Sequence, residues 1–361
     1  MVKFAHQISK DADDAASCND EARVGGVRVG DLLLDGAAFL APMAGVTDLA
    51  MRRLARKFGA ALAFSEMVAS DELAQAVGGK GGRESLLRSQ GEGVSPHAVQ
   101  IAGCEAESMA EASRLAQDLG ADLIDINMGC PAKRVVGGAA GSALMRDLDH
   151  AARLIAAVTQ AVTIPVSVKM RLGWDDASLN APELARRAEA EGACMIVVHG
   201  RTRQQFYKGA ADWAAIRPVS AAVKIPVVAN GDCQGPQDAR KMLEDSGAQA
   251  VMIGRAALGQ PWLVGDIAYY LSKGYERPAP TPRARRDAAL EHYAGLLAIY
   301  GAAQGLRHAR KHLAAYADIA ARAGGGLDAA SRKNLVRSED PDEVFSLLGR
   351  LYETAPEAEA A

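Results

Sequence analysis

One cysteine stands where a side chain could meet a ligand. Cys130 lies between Gly129 and Pro131 in "DINMGCP", directly after an apolar run. A thiol can be a nucleophile, a metal ligand or a proton donor. An unperturbed thiol titrates near about pH 8.5, so it holds its proton at neutral pH, as a general acid must. Other polar residues close similar runs further along: Lys169 and Arg171 in "PVSVKMR", His199 in "CMIVVHG", and Asn230-Gly231-Asp232 in "PVVANGD". Gly254-Arg255 follow "AVMI", Gln100 sits in "HAVQIAG", Asn127 precedes the cysteine, and Pro42-Met43-Ala44 close the first run. Glycines let backbone N–H groups approach an anion and arginine adds charge, so the "NGD" and "GR" turns suit a phosphate. Buried polar groups at this frequency need partners, and a planar, polar, phosphate-bearing ligand would supply them.

The elements that must hold these residues are legible. Eight apolar or β-branched runs begin near residues 38, 62, 97, 123, 165, 194, 226 and 250, with helically spaced segments such as "ESMAEASRLAQDLG" between them. Several helices end in Gly-Ala pairs, at Gly59, Gly120, Gly192 and Gly247, and glycine just past a helix is a usual stop. Alternating strand and helix predicts parallel βαβ units. Eight units fit a (β/α)8 TIM barrel of about 250 residues, whose active site lies at the C-terminal ends of the strands. A doubly wound sheet would carry GxGxxG after its first strand, and none is present.

The chain of 361 residues is 49% hydrophobic with a formal net charge of −3. Thr281 to Arg337 holds ten Lys/Arg against four Asp/Glu, while Ser338 to Ala361 holds one Arg against seven acids. A basic segment followed by an acidic tail suggests a polyanionic partner for the former. The Pro- and Arg-rich "ERPAPTPRARRD" marks a linker, and only helical patterning follows it. The expected organisation is a flexible leader at 1–30, a barrel at 31–275, a small all-α helical bundle at 276–350 and a disordered acidic tail at 351–361. Five cysteines without a CxxC pair indicate neither a disulfide framework nor a zinc knuckle, so no metal and a reducing, cytoplasmic setting are expected. No run of about 20 apolar residues predicts a membrane span.

Taken together, "LAPMAGVTD", "SEMV", "VQIAG", "DINMGCPAK", "GGAAGSAL", "VKMRLGW", "HGRTRQQ", "VVANGD" and "MIGRAALGQPW" occur in order across residues 40 to 262. They resemble the tRNA-dihydrouridine synthases, FMN-dependent barrels with a C-terminal helical domain. "RHARKHLAAY" extends the likeness to the bacterial B-type subfamily. The resemblance implies that NADPH reduces FMN, that hydride passes to C6 of a D-loop uridine in tRNA, and that Cys130 protonates C5. It implies FMN contacts from Pro42, Met43, Ala44, Gln100, Lys169, His199, Asn230, Gly231, Asp232, Gly254 and Arg255. Asn127 and Arg171 would orient the base. Lys133, Arg134 and Arg203, with Arg201, would flank the mouth, and "RVVGGAAGS" would form a mobile lid over it. Arg307, Arg310 and Lys311, with Arg332 and Lys333, would meet tRNA phosphates. A monomer is expected. Three rivals share some of these features: a flavin barrel acting on a free pyrimidine, a lyase using Lys169 as a Schiff-base nucleophile, and a non-catalytic RNA-binding barrel.

Overall fold

The computed structural model describes residues 25–76 and 82–353. The leader before residue 25 and the tail after residue 353 lie outside the described residues. Eight parallel strands form the barrel: β1 (Ala38–Leu40), β2 (Leu62–Phe64), β3 (His97–Ala102), β4 (Leu123–Met128), β5 (Val166–Arg171), β6 (Met195–His199), β7 (Val227–Asn230) and β8 (Ala250–Ile253). Each pairs with its sequence neighbour, and β8 returns to β1 through Val251 opposite Ala38, which closes the ring. Each run predicted from sequence contains one of these eight strands, and the second run also reaches a two-residue strand, Val68–Ala69, that pairs with β3. The sheet is buried on both faces, and this is why its strands read as continuous apolar runs rather than alternating ones. Pro165 and Pro226 stand immediately before β5 and β7, where a missing N–H costs no ladder bond.

Helices cover the barrel: α1 (Leu49–Lys57), α2 (Ser70–Ala76), α3 (Arg83–Ser89), α4 (Ala106–Asp118), α5 (Lys133–Gly137), α6 (Leu148–Ala161), α7 (Ala181–Ala190), α8 (Arg217–Ser220), α9 (Pro236–Ser246) and α10 (Leu263–Lys273). The four glycines expected to stop helices all have positive φ. An antiparallel hairpin, Val27–Val29 with Leu32–Leu34, precedes β1 and contributes Val27, Val29 and Leu34 to the barrel core. The last residues of the expected leader are therefore in a strand, because alternating Val-x-Val can bury one face.

Four more helices follow: α11 (Pro282–Tyr300), α12 (Ala302–Arg322), α13 (Ala329–Arg337) and α14 (Pro341–Arg350). Their shared core includes Tyr293, Leu296, Leu306, Leu313, Tyr316, Leu335, Val344 and Leu348. The α12 stripe read from sequence, Leu306, Ala309, Leu313 and Tyr316, is buried, while Arg307, Arg310 and Lys311 are exposed. Leu351 and Tyr352, at the head of the expected tail, are buried in this core instead, because they continue the apolar face of α14. The bundle rests on α1, with Leu54, Trp262 and Ala288 forming a small apolar seam.

Candidate active site

Two adjoining cavities open at the C-terminal ends of the strands. The smaller, about 140 Å³, is lined by Pro42, Met43, Lys169, His199, Asn230, Gly231, Asp232, Gly254 and Arg255. The larger, about 640 Å³, adds Ala44, Gln100, Asn127, Cys130, Arg171 and Lys311. All eleven residues expected around the cofactor thus line one cavity or the other. Pro42, Met43, Lys169, His199, Tyr207 and Arg255 belong to both.

A buried hydrogen-bond chain crosses the floor. Asp125 accepts from Ser167 Oγ (2.6 Å) and Gln100 Nε2 (2.6 Å), and Asn127 Nδ2 donates to Gln100 Oε1 (2.8 Å). Asn127 Oδ1 then accepts from the backbone N–H groups of Gly129 (3.2 Å) and Cys130 (2.9 Å). The cysteine loop is therefore held by an Asx turn launched from the end of β4. Gly129 eases a close approach: a Cβ there would lie 3.2 Å from the Met170 carbonyl carbon, tighter than most such contacts. The loop neck is clamped at Ser142, whose N–H (3.1 Å) and Oγ (2.9 Å) both donate to the Cys130 carbonyl. Gly141, at φ 60°, lets this clamp form; a Cβ there would lie 2.9 Å from the same carbonyl oxygen. Of the segment expected as a lid, Arg134 to Gly137 lie in the short helix α5, and its end is fastened at Ser142.

Lys169 is the polar centre of the shared wall. Its Nζ donates to Asn230 Oδ1 (3.1 Å), and Asn230 Nδ2 donates to the Met252 carbonyl (2.8 Å). Among the described residues no carboxylate forms an ion pair with it. Burial pushes the Lys169 pKa down, opposed by the charge of Asp125, and burial raises Asp125, opposed by its hydrogen bonds and by Lys169. A half-buried ammonium without a carboxylate partner has capacity for an anionic or carbonyl ligand.

Asp232, at φ 55°, lines the smaller cavity with its carboxylate already engaged. It pairs with both Nη atoms of Arg201, with Arg255 Nη2 (3.1 Å) and with the Ala211 N–H (2.9 Å). Burial works against these partners, yet Asp232 stays below its ordinary pKa. Arg201, expected at the mouth, is buried, because Asp232 and the carbonyls of Lys208 and Gly209 satisfy its guanidinium. Arg201 also donates to His199 Nε2 (3.2 Å), and a guanidinium cannot accept, so the His199 proton sits on Nδ1. Burial, then the charges of Lys169, Arg171, Arg201 and Arg255, hold His199 well below its usual pKa.

Arg171 is also nearly buried. It donates to the carbonyls of Gly129 (2.8 Å), Thr202 (2.9 Å) and Phe206 (2.8 Å), which ties the cysteine loop to the loop after β6. Not every basic residue gathers at the mouth. Arg203 stacks on Trp174 (4.6 Å) and Phe206 (5.0 Å). Lys133 is exposed on α5, and Arg134 lines a separate cavity with Cys104. Arg307 lines a cleft with Arg83 and Tyr300, and Arg310 is exposed, so Lys311 alone of the α12 basic trio lines the larger cavity.

Sequence reasoning missed Tyr207. It lies in a loop without periodicity, is 54% exposed, and is faced by Arg171 (5.5 Å) and Arg255 (5.0 Å). The three non-glycine residues with positive φ among the described residues are Ala139, Phe206 and Asp232. All three stand in the loops around these cavities, where such strain characteristically gathers.

Comparison with known proteins fits this geometry. The profile described as "Dihydrouridine synthase (Dus)" matches residues 39–334. A probable tRNA-dihydrouridine synthase of Rhizobium leguminosarum bv. phaseoli is 52% identical over 313 residues, covering 87% of this chain and 93% of that protein. The tRNA-dihydrouridine synthase B of Xanthomonas campestris pv. campestris is 49% identical over 292 residues, covering 81% and 86%. Among solved structures, a 2-naphthoyl-CoA reductase is similar at TM-score 0.55 and 12% identity, covering 91% of this chain and 68% of that one. Histamine dehydrogenase from Rhizobium sp. 4-9 is similar at TM-score 0.53 and 12% identity, covering 76% of this chain but 51% of that protein, so the likeness spans about half its length. These two likenesses concern the fold. At about half identity over nearly the whole of its relatives, with the family profile running from β1 into α13, this chain belongs to the dihydrouridine synthase family.

Proposed function

We propose that this protein reduces the C5–C6 double bond of a D-loop uridine in tRNA, with FMN as resident cofactor and NADPH as reductant. One observation carries the reading. A cavity walled by anion-suited turns adjoins a cavity holding Cys130, and Lys169 lies on the wall between them. The residues fit the cofactor. Gly231, Gly254 and Arg255 offer backbone amides and a guanidinium for a phosphate, and the competing charge of Asp232 is already met by Arg201. Lys169 and the second amide hydrogen of Gln100 suit the carbonyl-rich edge of an isoalloxazine. When bound, the flavin supplies a hydride to C6 of the uracil.

The chain's own residues do the rest. Cys130 holds the proton delivered to C5, and its loop is presented by Asn127 and Ser142. The thiolate left behind recovers its proton from solvent. Arg171 fixes the distance between the cysteine loop and the Phe206 loop, so the base has a walled slot. A base must leave its stack to enter such a slot, and an unpaired loop loses least by that. Lys311 supplies a cation from the helical bundle for the phosphates of the everted nucleotide. Its presence in the same cavity as Cys130 favours a polynucleotide over a free pyrimidine. Among the described residues no helix is long and apolar enough to cross a membrane, and we assign the reaction to the cytoplasm.

The test is direct. Purified protein is scanned for visible flavin absorbance, then incubated with NADPH and a tRNA transcript lacking modifications, and dihydrouridine is quantified by mass spectrometry of the digest. Flavin colour and NADPH-dependent dihydrouridine are expected. Turnover of free uracil or dihydroorotate, with no product in tRNA, would replace this reading with the rival one.

A further inference from the structure

Behind the larger cavity, where the bundle meets the barrel, a second group of side chains has no role in the reaction above. Asp48 closes the loop after β1 and caps α1, accepting the Met51 N–H on Oδ1 (2.9 Å). Two histidines from the helical bundle converge on it: His292 of α11, with Nε2 3.5 Å from Oδ1, and His312 of α12, with Nε2 3.2 Å from Oδ2. All three residues are at most 4% exposed. Their ligand atoms lie within 4.8 Å of one another.

The hydrogen-bond geometry leaves this group unsatisfied. Among the described residues His292 Nε2 and both ring nitrogens of His312 make no well-formed hydrogen bond, the Asp48 oxygens at 3.5 and 3.2 Å being the charged groups that face the two Nε2 atoms. Buried polar atoms almost always have one. His292 Nδ1 does have one, the Tyr316 hydroxyl at 3.0 Å. Where Nδ1 donates to that hydroxyl, the lone pair of Nε2 faces the Asp48 carboxylate and a cation between them satisfies both; where the hydroxyl donates instead, Nε2–H meets Asp48 directly, so metal binding would select the first tautomer.

We propose that Asp48, His292 and His312 form a structural site for a divalent transition ion of the zinc class, joining the helical bundle to the barrel. Two imidazoles and a carboxylate are a zinc donor set; magnesium and calcium take oxygen ligands. With metal–ligand bonds of about 2.0–2.2 Å, tetrahedral geometry sets neighbouring ligand atoms about 3.4 Å apart. The histidine–carboxylate separations are 3.2 and 3.5 Å, to different oxygens of Asp48, and the ligand atoms as a set lie within 4.8 Å of one another, so an ion would be held after a small inward shift of these side chains. Each flank of the site has the outer hydrogen bond that orients metal ligands: Met51 N–H on the carboxylate, Tyr316 on His292. The fourth position is left to water. Cysteine spacing could not reveal this site, since none of its ligands is a cysteine. Lys311 precedes His312, so an ion here would also fix where Lys311 stands over the larger cavity.

The experiment uses the full chain with its bound cofactor. After dialysis against micromolar zinc chloride and then metal-free buffer, elemental analysis is expected to find one zinc per chain. X-ray absorption should show nitrogen and oxygen scatterers with no sulfur. Zinc should raise the thermal midpoint and magnesium should not. Tyr316→Phe, which removes only the outer hydroxyl, should weaken zinc binding about 10- to 100-fold, and His292→Asn or His312→Asn should abolish it. Wild-type protein without stoichiometric zinc, a sulfur-containing shell, or zinc retained undiminished in the histidine variants would each overturn the site. The wild-type measurements decide the question even if the histidine variants fail to fold.

Discussion

Acid should weaken this protein through its buried histidines, and the share carried by one of them, His97, can be isolated. His97 opens β3, the strand that carries Gln100 to the active site, and is 1% exposed. Its Nδ1 lies 3.1 Å from Arg52 Nη1, and its Nε2 lies 2.8 Å from the Ser89 carbonyl. A guanidinium only donates, so Nδ1 accepts and Nε2–H donates. A proton on Nδ1 would remove the acceptor and set an imidazolium against Arg52, itself buried and bonded to the carbonyls of Thr47 and Gln90. Burial, and then Arg52, lower the His97 pKa to about 4.

The unfolded chain binds this proton near about pH 6.5, so between about 6.5 and 4 the unfolded state carries more protons than the folded one. The contribution is therefore complete above the unfolded pKa and shrinks as the pH falls. At about 1.4 kcal/mol per pH unit, roughly 3 kcal/mol is lost by pH 4. Denaturant titrations of wild type and His97→Asn across this range measure it. Asparagine keeps an acceptor near Arg52 but does not titrate, so the variant should be less stable at pH 7 and lose about 3 kcal/mol less on acidification. Other buried histidines contribute equally to both proteins and cancel. Parallel curves for the two would refute both the tautomer and the assignment.

Cys130→Ala should retain flavin and its reduction by NADPH but form dihydrouridine at least about 100-fold more slowly, as read by single-turnover assay on tRNA. Arg201→Met leaves Asp232 short of its main partner and the carbonyls of Lys208 and Gly209 unpaired; a loss of about 3–5 kcal/mol is expected in denaturant titration, with weaker flavin retention. Gly141→Ala forces a side chain into a left-handed backbone beside the Cys130 carbonyl. It should cost about 1–3 kcal/mol and slow product formation more than flavin reduction. Lys311→Ala should raise the KM for tRNA several-fold, whereas Arg310→Ala, further from the cavity, should change it little; equal effects would mean that the cavity position of Lys311 is irrelevant to binding.

What could be read from the sequence follows from how each feature is encoded. Parallel barrel strands are buried on both faces, so each run containing β1 to β8 announces itself locally, as do the prolines before β5 and β7. The polar residues closing those runs are conspicuous because they interrupt apolar stretches, and barrel topology brings the ends together without further information. That is why Cys130, Lys169, Asn230 and Gln100 were visible one at a time and meet in space. Partners set by tertiary packing leave no such trace. Arg201 looks like a solvated charge until Asp232, on the loop after the next strand, is folded against it. Arg307, Arg310 and Lys311 share one basic stripe, yet only the docking angle of the bundle decides which tip reaches the cavity. Asp48 reads as an ordinary cap for α1, and His292 and His312 as interior helix residues. Their convergence depends on the same docking angle that brings Lys311 over the mouth, so whatever holds Asp48 to the two histidines also sets the shape of the substrate cavity.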